Sequence, residues 1–109
     1  MDLSASTTLH ADHAHVAVAG ELDASTALRL RRQFDDALAQ GCLRFTLDVA
    51  GLTFVDAIGL DAFVRLHNAT TRLGGAVSFV ATSPAFRRSC GLAGLTEAFG
   101  LSALWEPVA

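Results

Sequence analysis

From His13 onward, the spacing of apolar residues in this chain switches repeatedly between two and about 3.6, and that alternation limits the available folds more than any other feature. "HAHVAVAG" (13 to 20) alternates at period two and predicts a strand. Ala27, Leu30, Phe34, Ala37 and Leu38 recur at helical spacing. "LRFTLDV" (43 to 49) returns to period two, and Gly59, Phe63, Leu66, Thr70 and Leu73, with Ala62 and Ala69 beside them, predict a second helix. "AVSFVA" (76 to 81) is another strand, and a short helix runs from Ser83-Pro84 to Gly91. Strands separated by helices of this length imply right-handed crossovers and a largely parallel sheet. Upstream, "LSASTTL" (3 to 9) also alternates, and the short turn from His10 to Asp12 joins it to the next strand as an antiparallel hairpin. "LSALW" (101 to 105) is a candidate last strand. The fold class is therefore α/β, with a mixed sheet of four to five strands.

The residues between these segments carry the boundary signals. Asp23 is placed as the N-cap of the first helix, with Leu22 and Ala27 spaced for a hydrophobic staple, and Gly41 is placed as its C′ glycine. The second helix opens after Asp56 and stops at Gly74-Gly75. Ser83 followed by Pro84 is a cap with an N1 proline. In the strand at 43 to 49, Leu43, Phe45, Leu47 and Val49 share one face and Arg44, Thr46 and Asp48 the other, so one face of the sheet is expected to meet water.

At 109 residues the chain is sized for one domain spanning residues 1–109, with a single core. Half of it is hydrophobic, and the net charge of -3 comes from 11 acids against 8 arginines without a lysine. Scattered arginines on an acidic chain disfavour nucleic-acid binding, and the missing lysine removes any phosphate-loop motif or lysine nucleophile. Cys42 and Cys90 lie far apart in sequence and form no paired motif, which predicts two reduced, buried thiols. No segment is apolar for long enough to span a membrane, and "MDLSASTTLHADH" lacks a signal peptide's apolar stretch. The expected location is the cytoplasm.

In an open α/β sheet the loops leaving the carboxyl ends of the parallel strands share one rim, where ligands of such folds bind. Asp23, Asp56 and Ser83 each fall on that rim, and each precedes a helix whose free amides it can satisfy. The sharper alternative joins Asp23 and Asp56 as an acid pair or a Mg²⁺ site, but neither a nucleophile nor a base is apparent beside them and hard cations need more oxygen ligands. "HADHAH" (10 to 15) puts His13 and His15 on one strand face without a visible completion of a four-ligand set. His67 falls opposite the core stripe of its helix, where a solvated role is expected. No dinucleotide fingerprint or nucleophile elbow is present. The chain reads as a non-enzyme with no cofactor.

Ile58 is the unusual residue on this rim. At 100° per residue it lines up with Arg65 and Arg72 rather than with Ala62, Leu66 and Leu73, so it sits at the edge of the core stripe. Two readings are open. Ile58 either tucks against the loop of Thr53 and Phe54 or presents an apolar tip beside Asp56.

"GELD" (20 to 23), "RFTLDVAGLTFVD" ending at Asp56, the D-x-x-G-L of Asp56 to Leu60, "LGG" (73 to 75) and "SPAFRRSCGLAGLTEAF" (83 to 99) resemble, in order and spacing, a STAS domain of the bacterial anti-sigma-factor antagonist type. The resemblance spans nearly the whole chain. It implies a regulator that binds an anti-sigma factor, itself a serine kinase of the GHKL type, and so frees a sigma factor for transcription. In that family the kinase switches the antagonist off by phosphorylating a serine in the pattern Asp-Ser-Ser-Gly-Leu, where this chain reads Asp56, Ala57, Ile58, Gly59, Leu60. Both hydroxyls are absent. A phosphate would bring about -1.5 to -2 charges beside Asp56, and Ile58 cannot accept one, so no phosphorylation is expected at the usual position. Thr53 is the nearest hydroxyl.

By resemblance, the partner surface comprises Asp23, Thr53, Asp56, Ala57, Ile58, Gly59, Leu60 and Asp61. Two other readings share the fold: a STAS regulatory subunit docking on an ABC transporter component, and a small-ligand sensor at the same rim. The tail "FRRSCGLAGLTEAFGL" sides with the antagonists. For oligomeric state, a monomer and a weak dimer are both open.

Overall fold

The computed structural model describes residues 2–101. Strands β1 (Leu3–His10) and β2 (His13–Leu22) lead to helix α1 (Ala27–Ala39), then β3 (Arg44–Val55), α2 (Ala57–Arg72), β4 (Ala76–Thr82) and α3 (Pro84–Leu92). The four strands form one sheet in the order β1-β2-β3-β4. β1 runs antiparallel to β2, while β2, β3 and β4 are parallel. The mixed sheet with an N-terminal hairpin therefore matches the sequence expectation. Of the candidate last strand at 101 to 105, residues 102–105 lie outside the described residues, and Leu101 belongs to a 3₁₀ turn.

Register puts the large residues on one face. Thr7 faces Val16, Ala14 faces Phe45, Val16 faces Leu47, and Leu47 faces Phe79. The helices bring their apolar stripes to this face. Phe63 of α2 sits at its centre, with ring centroids 5.8 Å from Phe34 of α1, 5.7 Å from Phe79 of β4 and 5.3 Å from Phe86 of α3. Phe34, Phe45, Phe63 and Phe86 are fully buried, each contributing roughly 1.5–3 kcal/mol of hydrophobic stabilisation. Ser4, Ser6, Thr8, His15, Ala17, Asp48, Ser78 and Val80 on the opposite face are exposed. One face does meet water, as the alternation at 43 to 49 predicts.

The outer edge of β1 is covered by α1. Arg29 donates a guanidinium hydrogen bond to the Leu3 carbonyl, one turn later the Gln33 amide donates to the Ala5 carbonyl at 3.0 Å, and the Thr7 hydroxyl donates to Gln33 Oε1 at 2.7 Å. These helix side chains occupy backbone acceptors that a neighbouring strand would otherwise use.

Four local expectations need correction. Asp23 is not the N-cap of α1. That cap is Thr26, and Asp23 instead closes a turn of its own, accepting at Oδ1 from the Ser25 amide at 2.9 Å and the Ser25 hydroxyl at 2.6 Å. The loop expected at Thr53 and Phe54 is strand. β3 continues to Val55 because two register shifts against β2 each insert a residue into it, and burial there falls on every third residue, Val49, Leu52 and Val55. Leu73 is not in the core: it is the C-cap of α2 and lies exposed, where the chain turns away from the helix axis. His67 is half-buried rather than solvated, its ring 5.7 Å from that of Phe99, which returns from beyond α3.

Candidate functional site

The carboxyl ends of β2, β3 and β4 open onto Asp23, Asp56 and Ser83, so the rim forms as the topology requires. Ser83 is consumed by structure: it is buried, and its Oγ accepts from the Phe86 amide at 3.0 Å. Asp56 caps α2, with Oδ1 accepting from the Gly59 amide at 2.7 Å. Its own amide donates to the Leu22 carbonyl at 3.2 Å, which ties the start of α2 to the end of β2. The Ser25 hydroxyl, helped by the Ser25 and Thr26 amides, holds the Asp23 carboxyl below the usual carboxylate range. Each carboxylate is thus engaged by its own turn. Among the described residues no three His, Cys, Asp or Glu side chains gather into a metal-binding group. His13 and His15 stack on each other at 4.3 Å, and His13 Nε2 lies 2.6 Å from the Thr46 hydroxyl.

The first turn of α2 divides its residues sharply. Gly59 and Leu60 are buried, Gly59 so tightly that a Cβ there would lie 2.5 Å from the Leu22 carbonyl oxygen. Gly59 has no side chain to present and Leu60 turns inward at 3% exposed, so both fix the turn. Ala57, Ile58 and Asp61 are exposed, and Ile58 is 59% exposed. Of the two readings for Ile58, the presented tip is the one observed. Thr53 is exposed on β3, its hydroxyl donating to the Gly20 carbonyl at 3.2 Å.

Sequence reasoning missed two apolar residues near this turn. Phe54 is 45% exposed and Leu92, the last residue of α3, is 86% exposed. Leu92 borders a cavity of about 310 Å³ between the first turn of α2 and the end of α3, which Val55, Ala57 and Leu60 also line. The signal for Leu92 was present: Phe86 and Cys90 form the buried stripe of α3, and Leu92, two residues further, points about 200° away from it. Phe54 was hidden because it was read as part of a loop, whereas it stands on β3 in the same exposed phase as Arg44 and Asp48. Ile58 at the start of α2, Phe54 at the end of β3 and Leu92 at the end of α3 are thus large apolar side chains left exposed.

A family model described as "Mlab, STAS domain" matches residues 5–104 of the chain. The chain belongs to the STAS domain family. Solved structures share the fold. An anti-sigma factor antagonist from Mycobacterium paratuberculosis is 26% identical, with 90% of this chain and 83% of that one covered and a TM-score of 0.75. The anti-sigma factor antagonist SpoIIAA in its unphosphorylated form is 19% identical over 86% of this chain and 84% of that one, TM-score 0.76. The Bacillus cell fate determinant SpoIIAA in the phosphorylated form is 18% identical over 94% of this chain and 100% of that one, TM-score 0.70. The last two establish a shared fold. No helix among the described residues is long and apolar enough to cross a membrane.

Proposed function

We propose that this STAS protein is a cytoplasmic, non-catalytic anti-sigma-factor antagonist: it binds an anti-sigma factor of the GHKL serine-kinase type and thereby frees a sigma factor. Its docking surface is the rim around Asp56, with Asp23, Thr53, Ala57, Ile58 and Asp61 as contacts, and it is not switched by phosphorylation at Ile58. The observation that carries the reading is the exposure of Ile58 beside the Asp56 cap. A large apolar side chain in the first turn of a helix gains nothing from water, and burying its tip against a partner stabilises a complex by about 1 to 2 kcal/mol. The likeness to the mycobacterial antagonist supports the choice of partner.

The test is titration calorimetry with an anti-sigma factor of the GHKL serine-kinase type from the same organism, using the native chain and Ile58→Asp. Binding that weakens on the order of tenfold in the variant supports the reading. Equal affinity removes Ile58 from the interface, and absence of binding to the anti-sigma factor, with binding to a transporter ATPase instead, replaces the partner. Incubation with the kinase and ATP, followed by mass spectrometry, should leave residues 52–65 unmodified, while Ile58→Ser restores an acceptor.

A further inference from the structure

The notch between the first turn of α2 and the end of α3 is left open by the fold. Its cavity of about 310 Å³ is floored by Val55 and Leu60 and walled by Ala57, Leu92 and Ala93. All three wall residues are exposed, Leu92 at 86%. An alanine on each side, Ala57 on α2 and Ala93 as the C-cap of α3, leaves a hollow that larger side chains would fill. The polar groups around it are already engaged. The Ser89 hydroxyl donates to the Val55 carbonyl at 2.6 Å, and Asp56 Oδ1 accepts from the Gly59 amide at 2.7 Å. The Ser89, Cys90 and Gly91 carbonyls, which a helix end would otherwise leave free, accept from the Ala93, Leu95 and Gly94 amides. These bonds also tie α3 to the end of β3 and hold the first turn of α2, so the hollow is preformed.

We infer that this notch receives one apolar side chain, aliphatic or aromatic, from the anti-sigma factor that docks at Ile58. The inference rests on that docking and extends the contact surface to Leu92 and Ala93. A small-molecule ligand is oriented by a few convergent polar groups, and here each is spent on the fold. A charged ligand finds no cation: among the described residues Asp56 is the only charged residue lining the notch. What the notch offers is apolar contact. Its volume lies at the small end of the roughly 300–1,000 Å³ of ligand pockets, which suits a single side chain better than a cofactor. Ala57 belongs both to the notch wall and to the turn that presents Ile58, so a partner seated on Ile58 adjoins the hollow. An anchor buried in a pocket and ringed by surrounding contacts is where interface residues contribute most to affinity.

Titration calorimetry of the native chain and Ala93→Phe against an anti-sigma factor of the GHKL serine-kinase type from the same organism, joined to methyl NMR of the native complex, tests it. Ala93→Phe fills the hollow from its wall and should weaken binding on the order of tenfold. The loss should be the same at low and high salt, because no charge is involved. Ala93→Ser should bind like the native chain. In the native complex the Val55, Leu60 and Leu92 methyl groups should show intermolecular NOEs to apolar protons of the factor, a readout that stands whether or not a variant folds. Thermal melts check the folding of both variants. Native affinity for Ala93→Phe together with weakened binding by Ile58→Asp would overturn the notch and leave the Ile58 reading in place, whereas absence of binding by the native chain would sink both. NOEs to polar side chains alone, or self-association in ultracentrifugation that Leu92→Asp abolishes, would give the notch a different occupant and also overturn the inference.

Discussion

Gly59 donates its amide to the Asp56 carboxylate at 2.7 Å while its α-carbon faces the Leu22 carbonyl, so close that a Cβ would stand 2.5 Å from that oxygen. The same Leu22 carbonyl accepts the Asp56 amide. Strand β2 and the first turn of α2 are therefore locked at one backbone atom, and Ile58 is held between the two locked residues. The rigidity of the presented tip comes from backbone rather than from packing of the isoleucine itself.

Gly59→Ala sets two effects against each other. Helix propensity favours alanine by about 1 kcal/mol, but the added methyl meets backbone that cannot rotate away, and overpacking of this kind costs about 1–3 kcal/mol. The clash should win, giving a variant with a lower urea midpoint. An unchanged or raised midpoint would mean that α2 can slide off β2.

Ile58→Asp should leave stability nearly untouched, within about 0.5 kcal/mol of the native chain, because the side chain is mostly exposed and a carboxylate is tolerated at a helix N-terminus. Leu92→Asp should cost slightly more, up to about 1 kcal/mol, because the side chain is exposed but a carboxylate is disfavoured at a helix C-terminus. Thermal unfolding of both variants checks this. A loss of several kcal/mol in either would mean that the residue belongs to the core.

The Asp23 turn predicts an acid dependence. Its carboxyl is held below the usual range in the folded chain, so the folded state binds that proton less readily than the unfolded one. The stability it contributes is present above the unfolded carboxylate pKa and disappears as pH falls through the lower, folded value. Ser25→Ala removes the principal donor and should raise the Asp23 pKa. An NMR titration of the Asp23 carboxyl carbon in the two proteins reads the shift directly, and coincident curves would mean that Ser25 does not act on Asp23.

At the alkaline end the relevant group is Cys90, fully buried on α3, whose thiol burial pushes up to about 12 from 9.0. A raised folded pKa contributes stability that is intact below the unfolded value and drains away as pH climbs from about 9 toward 12. Cys90→Ala should flatten that limb of the stability profile, although the smaller side chain also lowers stability at neutral pH. In the native chain at pH 8, Cys90 should resist a thiol reagent until denaturant is added. Immediate reaction would show that α3 opens readily.

The order and direction of the elements were legible because β2 through α3 keep their apolar periods and because the Asp56 and Ser83 caps and the glycines at 41 and 74, both at positive φ, mark element ends locally. Where competing local signals coexist, legibility fell. Asp23 and Thr26 are both good caps three residues apart, and only the Ser25 bonds to Asp23 assign the turn to one and the helix start to the other. The register shifts in β3 changed the burial period from two to three at Val49, Leu52 and Val55, which a period-two reading cannot anticipate. His67 was misplaced because its partner Phe99 is 32 residues away, a distance over which helical phase says nothing. On the rim, Ile58 was visible by its incongruity and the exposed phase of Leu92 was readable from the stripe of α3, whereas Phe54 became visible only once the sheet was in place.

The grip of Arg29 and Gln33 on the first strand has a bearing on how this protein survives in a crowded cell. A flat, serine- and threonine-rich border would otherwise invite a stray chain to add itself and seed cross-β aggregates. With the Leu3 and Ala5 carbonyls already occupied by long side chains from α1, an intruder pairing with the first half of the strand would have to evict both residues first. Replacing the pair with alanine would therefore expose a sticky margin, and fibril formation would be the hazard released.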